Sequence, residues 1–480
     1  NLFRARIPVL LMAGRSPHTL RGELPGSRDT YVHFVQDPFD QASLVRPYVK
    51  WEYSLPTGVI AKEALRRAHT LMQSDPKGPV YLMLPRETLA ESWDANAVHP
   101  FPESRYGPVA AGGADPDVVA ALAGRLLAAR EPVLITAYAG RNPASVALLD
   151  ELARFAGIRV FEFNPLHLNI PHDSPCFAGF APGKHVAQAD FGMLVDIDVP
   201  WIPRDMPDNP ATWWAHIDVD AVKRGFPMWG FPSNLRIEGD SSRILAQLLE
   251  ALRARATPAF VAGARRRVAA LAAEHRQRME GVARLAADKG APGRINPQYL
   301  CAELGRAIAP DDIVLNEAIR NGPAVFSQVP RSKPGTLIGL AGGGLGFSGG
   351  MALGMKLAQP GRTVLQIVGD GSFYFCNPEA VYAVAAQYRL PIFTVVLDNG
   401  GWAAVKEATL RMHPEGEAKR LGAYASQLAQ GMAFAQIGEA AGAYGETLTE
   451  PAEAAAAIRR CLDEVRGGRS AVLHVHIGPH

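Results

Sequence analysis

Asp370 and Asn399 are the two residues whose type and setting promise chemistry. Asp370 stands in Gly369-Asp370-Gly371-Ser372, directly after an apolar run over 363–368. Asn399 stands in Asp398-Asn399-Gly400-Gly401, directly after a second apolar run over 392–397. Short apolar runs between helical patterns read as buried parallel strands. Residues at the C-terminal ends of such strands point into the crevice where open α/β sheets bind ligands. On neighbouring strands, the Asp370 carboxylate, the Asn399 amide oxygen and a backbone carbonyl would converge. These are hard oxygen ligands, suited to Mg²⁺ or Ca²⁺ that also holds a diphosphate. The glycines permit tight turns and let N–H groups face phosphate oxygens. Gly-Asp-Gly by itself is also common turn chemistry. The second strand end, with Asn399, makes the pattern specific.

Three α/β segments supply strands of this kind. In residues 1–95 we expect a buried strand over 7–12, a helix over 59–72 and an apolar strand over 79–85. Residues 100–115, rich in Pro, Gly and Ala, read as a linker. The segment 116–255 repeats the alternation, with helices over 117–129 and 145–156 and strands over 132–136, 159–162, 191–197 and 214–219. Residues 256–289 are charged, alanine-rich and helical, and connect to a third segment, 290–480. That segment opens with a helix over 297–308 and a strand over 312–317. A glycine cluster over 342–346 then starts a helix that reaches 357. The two apolar runs follow, separated by a helix over 378–388, and two helices and a strand over 471–477 close the chain. The fold class is therefore α/β, as three doubly wound parallel-sheet domains.

Bulk properties fit that plan and exclude several others. At 480 residues the chain is too long for one core. Hydrophobic residues make up 48 % and charged residues 20 %, an ordinary globular balance. A formal charge of +2 leaves no footprint for nucleic acid or an anionic membrane, and the run Ala264-Arg265-Arg266-Arg267 reads as a solvated helix face. Cys176, Cys301, Cys376 and Cys461 form no CxxC pair, which argues against a zinc or disulfide framework. A reducing, cytoplasmic location is expected. No apolar run is long enough to span a bilayer. The opening Asn1 to Arg6, followed by an apolar stretch, invites a signal-peptide reading. Gly14-Arg15-Ser16-Pro17 after it looks more like a strand end entering a loop. The absent initiator Met leads us to expect residues ahead of Asn1.

The motif GDGS, with Asn399 one helix and one strand later, resembles the cofactor signature of thiamin-diphosphate-dependent enzymes of the pyruvate decarboxylase, acetolactate synthase and benzoylformate decarboxylase family. The resemblance implies thiamin diphosphate and Mg²⁺, with Asp370, Asn399 and the carbonyl of Gly401 as metal ligands. Asp398 stands where the family usually has a first Asn. Gly342-Gly343-Gly344-Leu345-Gly346-Phe347 resembles the segment that shapes the cofactor. It implies Leu345 as the wedge between the two rings and the Gly343 carbonyl as acceptor for the 4′-amino group. Asn316, Glu317 and Arg320 lie where the family contacts diphosphate and pyrimidine, and Gly369, Gly371 and Ser372 complete the implied cofactor set. An isolated glycine cluster with Leu345 in the core, or Arg320 as a surface charge, would be the ordinary structural alternatives.

By the same resemblance, residues 1–95 are the C-terminal part of the pyrimidine-binding domain. Residues 116–255 are the middle domain, and 290–480 the diphosphate-binding domain. The family's activating glutamate has no match in this chain. The implied reaction is decarboxylation and/or carboligation of a 2-keto acid in a homodimer or homotetramer with shared active sites. His33 and Trp402 are candidate catalytic or pocket residues. A structural histidine and a core tryptophan are their ordinary readings. Lys50 matches a pocket lysine of acetolactate synthases, with an exposed lysine as the alternative. The sequence after Asn399 lacks the Gln-Trp motif of biosynthetic acetolactate synthases. Val199-Pro200-Trp201-Ile202-Pro203 stands where benzoylformate decarboxylase carries a histidine. Two other classes remain: a flavin-dependent oxidase of the pyruvate-oxidase type, with FAD in the middle domain, and a non-catalytic cofactor-binding relative.

Overall fold

The computed structural model describes residues 1–98, 102–428 and 431–478. The expected linker therefore falls partly outside the described residues, at 100 and 101, as do the last two residues of the expected third domain. In chain order the strands are β1 (Leu10–Arg15), β2 (Glu52–Ser54), β3 (Val80–Pro85), β4 (Pro132–Thr136), β5 (Arg159–Glu162), β6 (Phe191–Val195), β7 (Trp213–Asp218) and β8 (Leu235–Glu238). Then follow the short hairpin β9 (Gly290–Ala291) and β10 (Arg294–Ile295), β11 (Ile313–Glu317), β12 (Leu337–Ile338), β13 (Val364–Gly369), β14 (Phe393–Asp398), β15 (Tyr444–Leu448) and β16 (Ala471–His476). The chain divides into two compact units, Asn1–Gly113 and Ala114–His480.

The first unit carries a three-stranded parallel sheet in the order β1-β3-β2. Apolar β3 is almost wholly buried. The strand expected over 7–12 begins three residues later, at Leu10, and it is not buried: Met12 is 59 % exposed. The reason is positional. β1 is an edge strand of a narrow sheet, so an apolar sequence there does not guarantee cover on both faces. Lys50 is half-buried, donating from Nζ to the carbonyls of Leu71 (2.5 Å) and Ser74 (2.6 Å) at the end of helix Ala61–Gln73. It is neither exposed nor free to reach a ligand, and burial pushes its pKa down.

The second unit holds two parallel sheets, β5-β4-β6-β7-β8 and β12-β11-β13-β14-β16-β15. Its helices show how sequence dictates cover. In helix Pro143–Ala156, Asn142 caps the free N–H of Ala144 and Pro143 occupies the first turn. Leu149, Leu152, Ala153 and Ala156 then recur at helical spacing and are buried in the core of the first sheet, while Val146 is buried in the neighbouring core with Leu168 and Ile295. Gly157 at φ 64° ends the helix. Truncating Leu149 or Leu152 to Ala would cost about 2–5 kcal/mol.

Both large sheets are doubly wound. In the second, the chain steps outward from β11 to β12, then returns to place β13 on the other side of β11. The strand order thus reverses between the C-terminal ends of β11 and β13, the position where such sheets open a ligand crevice. In the first, the reversal lies between β4 and β6. Sequence reading missed β8 and β15, which close one edge of each sheet.

Candidate functional site

The register of β13 on β14 pairs Gly369 with Leu397, so the two strands end side by side. Asp370 and Asn399 follow these ends and line one cavity of about 100 Å³ with Arg320, Leu345, Gly371, Ser372, Gly401 and Trp402. This cavity is the switch-point crevice at the carboxyl ends of β11 and β13. The structure thus brings together most of the cofactor and metal residues expected from sequence.

Asp370 opens helix Asp370–Phe375 and is 2 % exposed. Its Oδ1 accepts from the N–H of Gly371 at 2.9 Å, while Oδ2 has no hydrogen-bond partner. Burial, reinforced by the neighbouring Asp398 carboxylate, pushes its pKa up to about 7. Burial opposes ionisation of Asp398 too. There, His474 Nε2 at 2.8 Å and the Gly400 N–H at 2.9 Å prevail and hold the pKa down. A buried carboxylate oxygen without a donor is costly unless a cation meets it. The donor chemistry at this cavity, a carboxylate, an amide oxygen and the Gly401 carbonyl, fits a hard divalent ion.

Backbone geometry at the turn depends on missing side chains. Gly401 sits at φ 155°, and a Cβ there would lie 2.2 Å from the Ser426 carbonyl oxygen. A Cβ on Gly371 would lie 2.2 Å from Nε1 of Trp402. Trp402 stacks on Phe375 at 5.8 Å while lining the cavity, so it packs and faces the site at once. The two motif turns therefore interlock, a contact that sequence reading did not foresee.

The remaining expected residues divide. Gly343 faces open space, and Leu345 is half-buried at the cavity. Gly346, at φ 90°, abuts the Phe375 backbone so closely that a Cβ would lie 2.4 Å from it. Glu317 lies at the end of β11 but turns its carboxylate to the glycine loop. It accepts from the Gly346 N–H, the Ser348 N–H at 3.1 Å and the Ser348 hydroxyl. Burial pushes its pKa up. Asn316 accepts from the Ala318 N–H at 3.1 Å and faces a second cavity. Arg320 pairs with Glu407 on the rim, half-exposed. His33 belongs to the first unit, where its Nδ1 lies 3.3 Å from Asp29.

The second cavity, about 350 Å³, sits at the switch point of the β4–β8 sheet and is lined by Tyr138, Phe163, Asp198, Ile319 and Phe326 among others. The glycine after β4, Gly140, is packed so that a Cβ would lie 1.8 Å from the Leu168 carbonyl oxygen. Lys223, 1 % exposed, is held inside the protein by Tyr138 (2.7 Å), Asp198 (2.9 Å) and Asp218 (2.6 Å).

Comparison with known proteins agrees with this geometry. Residues 323–475 match the family model for the C-terminal TPP-binding domain of thiamine pyrophosphate enzymes. The chain is 27 % identical to benzoylformate decarboxylase of Pseudomonas aeruginosa over 424 residues, covering 85 % of this chain and 72 % of that protein. It is 25 % identical to the large subunit of acetolactate synthase isozyme 3 of Escherichia coli over 494 residues, covering 98 % and 79 %. In fold it resembles the thiamine-diphosphate-dependent 4-hydroxybenzoylformate decarboxylase of Rhodococcus jostii, with a TM-score of 0.77 at 19 % identity over 100 % of this chain and 84 % of that one. Residues 323–475 thus match a TPP-binding domain, and the chain as a whole is similar to thiamin-diphosphate-dependent enzymes, benzoylformate decarboxylase and acetolactate synthase among them. Among the described residues, no helix is long and apolar enough to cross a membrane.

Proposed function

We propose that the chain decarboxylates a 2-keto acid, with or without carboligation, using thiamin diphosphate held through Mg²⁺ by Asp370, Asn399 and the Gly401 carbonyl. The observation that carries the metal assignment is the buried, partnerless Oδ2 of Asp370 at the crevice between two parallel strand ends. When bound, thiamin diphosphate supplies the carbon nucleophile for the keto carbonyl. The chain's own part is placement and electrostatics. Asp370 and Asn399 would fix the cation, while Ser372 offers a backbone N–H beside it. Arg320 on the rim is placed to exchange its exposed pairing with Glu407 for a phosphate oxygen. Leu345 would pack against the bound cofactor, and the Gly343 carbonyl would accept from its amino group. Glu317 acts behind them by fixing the loop that presents both. Trp402 walls the substrate side.

We further propose a homodimer or homotetramer, because the first unit leaves large apolar side chains uncovered.

The test is CO₂ release from a panel of aliphatic and aromatic 2-keto acids with thiamin diphosphate and Mg²⁺. Release that ceases with a chelator and in Asp370→Ala is expected. Cofactor binding with no release from any keto acid would replace this reading with that of a binding protein.

A further inference from the structure

A second cluster of metal-ligating side chains lies behind the cofactor turn. His474 and His476 are two apart on β16, so they share one face of the sheet. In the parallel register of β14 on β16, Asp398 pairs with His476 and therefore joins that face. One ligand atom from each of the three lies within 4.8 Å of the others. His474 is 1 % exposed, with Nε2 2.8 Å from Asp398 Oδ2 and Nδ1 without a partner. Asp398 keeps 18 % of its side-chain surface in contact with solvent, which leaves an entry path. Phe434 packs edge-on against His474 at 5.0 Å and steadies its ring.

We propose that Asp398, His474 and His476 form a second cation site, selective for a borderline transition metal such as Zn²⁺ and separate from the Mg²⁺ cleft. The chemistry separates the two sites. Imidazole nitrogens favour zinc over magnesium, whereas the all-oxygen set at Asp370 and Asn399 has the opposite preference. Zinc bonds of about 2.0–2.2 Å place donors roughly 3.4 Å apart, so the 2.8 Å His474–Asp398 pair must open and any longer separation within the 4.8 Å cluster must close. Three protein ligands leave a fourth position for water. Since Asp398 begins the turn that carries Asn399, the two sites are neighbours along the chain without sharing a ligand.

The experiment titrates Zn²⁺ into untagged, metal-free, full-length protein against a chromogenic zinc indicator, with excess Mg²⁺ present. One equivalent of zinc is expected to bind. His476→Gln should weaken it at least 10-fold, His474→Gln should do the same, and Asp370→Ala, which removes a neighbouring carboxyl but no zinc ligand, should weaken it far less. Thermal melts and thiamin-diphosphate binding of His476→Gln report separately that the variant is folded. The proposal is overturned by the absence of stoichiometric zinc in the wild type, or by unchanged affinity in a folded His476→Gln. It is equally overturned if Asp370→Ala loses zinc as His476→Gln does, which would place the ion in the magnesium cleft.

Discussion

The two units of the chain treat the same kind of sequence differently. In Ala114–His480, strands β4, β6 and β11 are buried at every residue, and six strands hold the site. In Asn1–Gly113, three strands share one sheet, and Tyr31 (76 %), Val35 (75 %) and Phe39 (110 %) stand in solvent. Apolar strands become rigid supports only where both faces are covered. The larger unit can therefore hold a carboxylate in an unfavourable place such as Asp370, whereas the smaller one presents surface that suits docking.

The strongest way to break this contrast is Asp370→Ala. We expect a loss of about 100-fold or more in Mg²⁺-dependent thiamin-diphosphate affinity, at or beyond the upper end of what removing a supporting group costs. Titration calorimetry reads it, and unchanged affinity would remove the basis of the site. Gly346→Ala tests the rigidity of the loop. With φ at 90° and the Phe375 backbone in the way, the change should destabilise by on the order of 2 kcal/mol. Denaturant melts measure it.

The pH dependence sharpens the same point. Asp370 is raised from an ordinary 3.8 to about 7. The folded, metal-free protein thus holds a proton that the unfolded chain releases, so this residue's contribution to stability falls as pH rises between those values. Melts of metal-free protein should show that slope, and Asp370→Asn should flatten it. For Mg²⁺ binding the sign reverses. Affinity should fall by up to about tenfold per pH unit below 7, because the ion must displace the proton. The smallest effect concerns the first unit. Phe39→Ser should change unfolding free energy within about 0.5 kcal/mol in a dissociated subunit, yet weaken self-association in sedimentation experiments. If self-association is unchanged, the exposed rings of that unit are not a docking face.

Strands with uniform apolar runs were legible in the sequence, and β4 and β5 fall on the residues expected. So was the meeting of Asp370 with Asn399, because strand ends and glycine turns leave local marks. What escaped was amphipathic or tertiary. β8, Leu-Arg-Ile-Glu, alternates polar with apolar, and β15, Tyr-Gly-Glu-Thr-Leu, mixes them without a period; both lie at sheet edges and resemble loop sequence. The bracing role of Glu317 depends on a loop 29 residues away, which no local pattern reports. His474 and His476 lay within an expected strand. Their shared face was readable from the spacing, but Asp398 as their neighbour required the register.

The gap between Gly371 and Trp402 has a consequence for how such a chain can change. Each cofactor turn is shaped to the other's side chain, or to its lack of one. A larger residue at 371 is tolerable only if the indole is first reduced, and a reduced indole alone leaves a hole beneath the turn at Asn399. Change at these two positions is therefore favoured as a paired exchange, which makes them one linked lock rather than two independent choices.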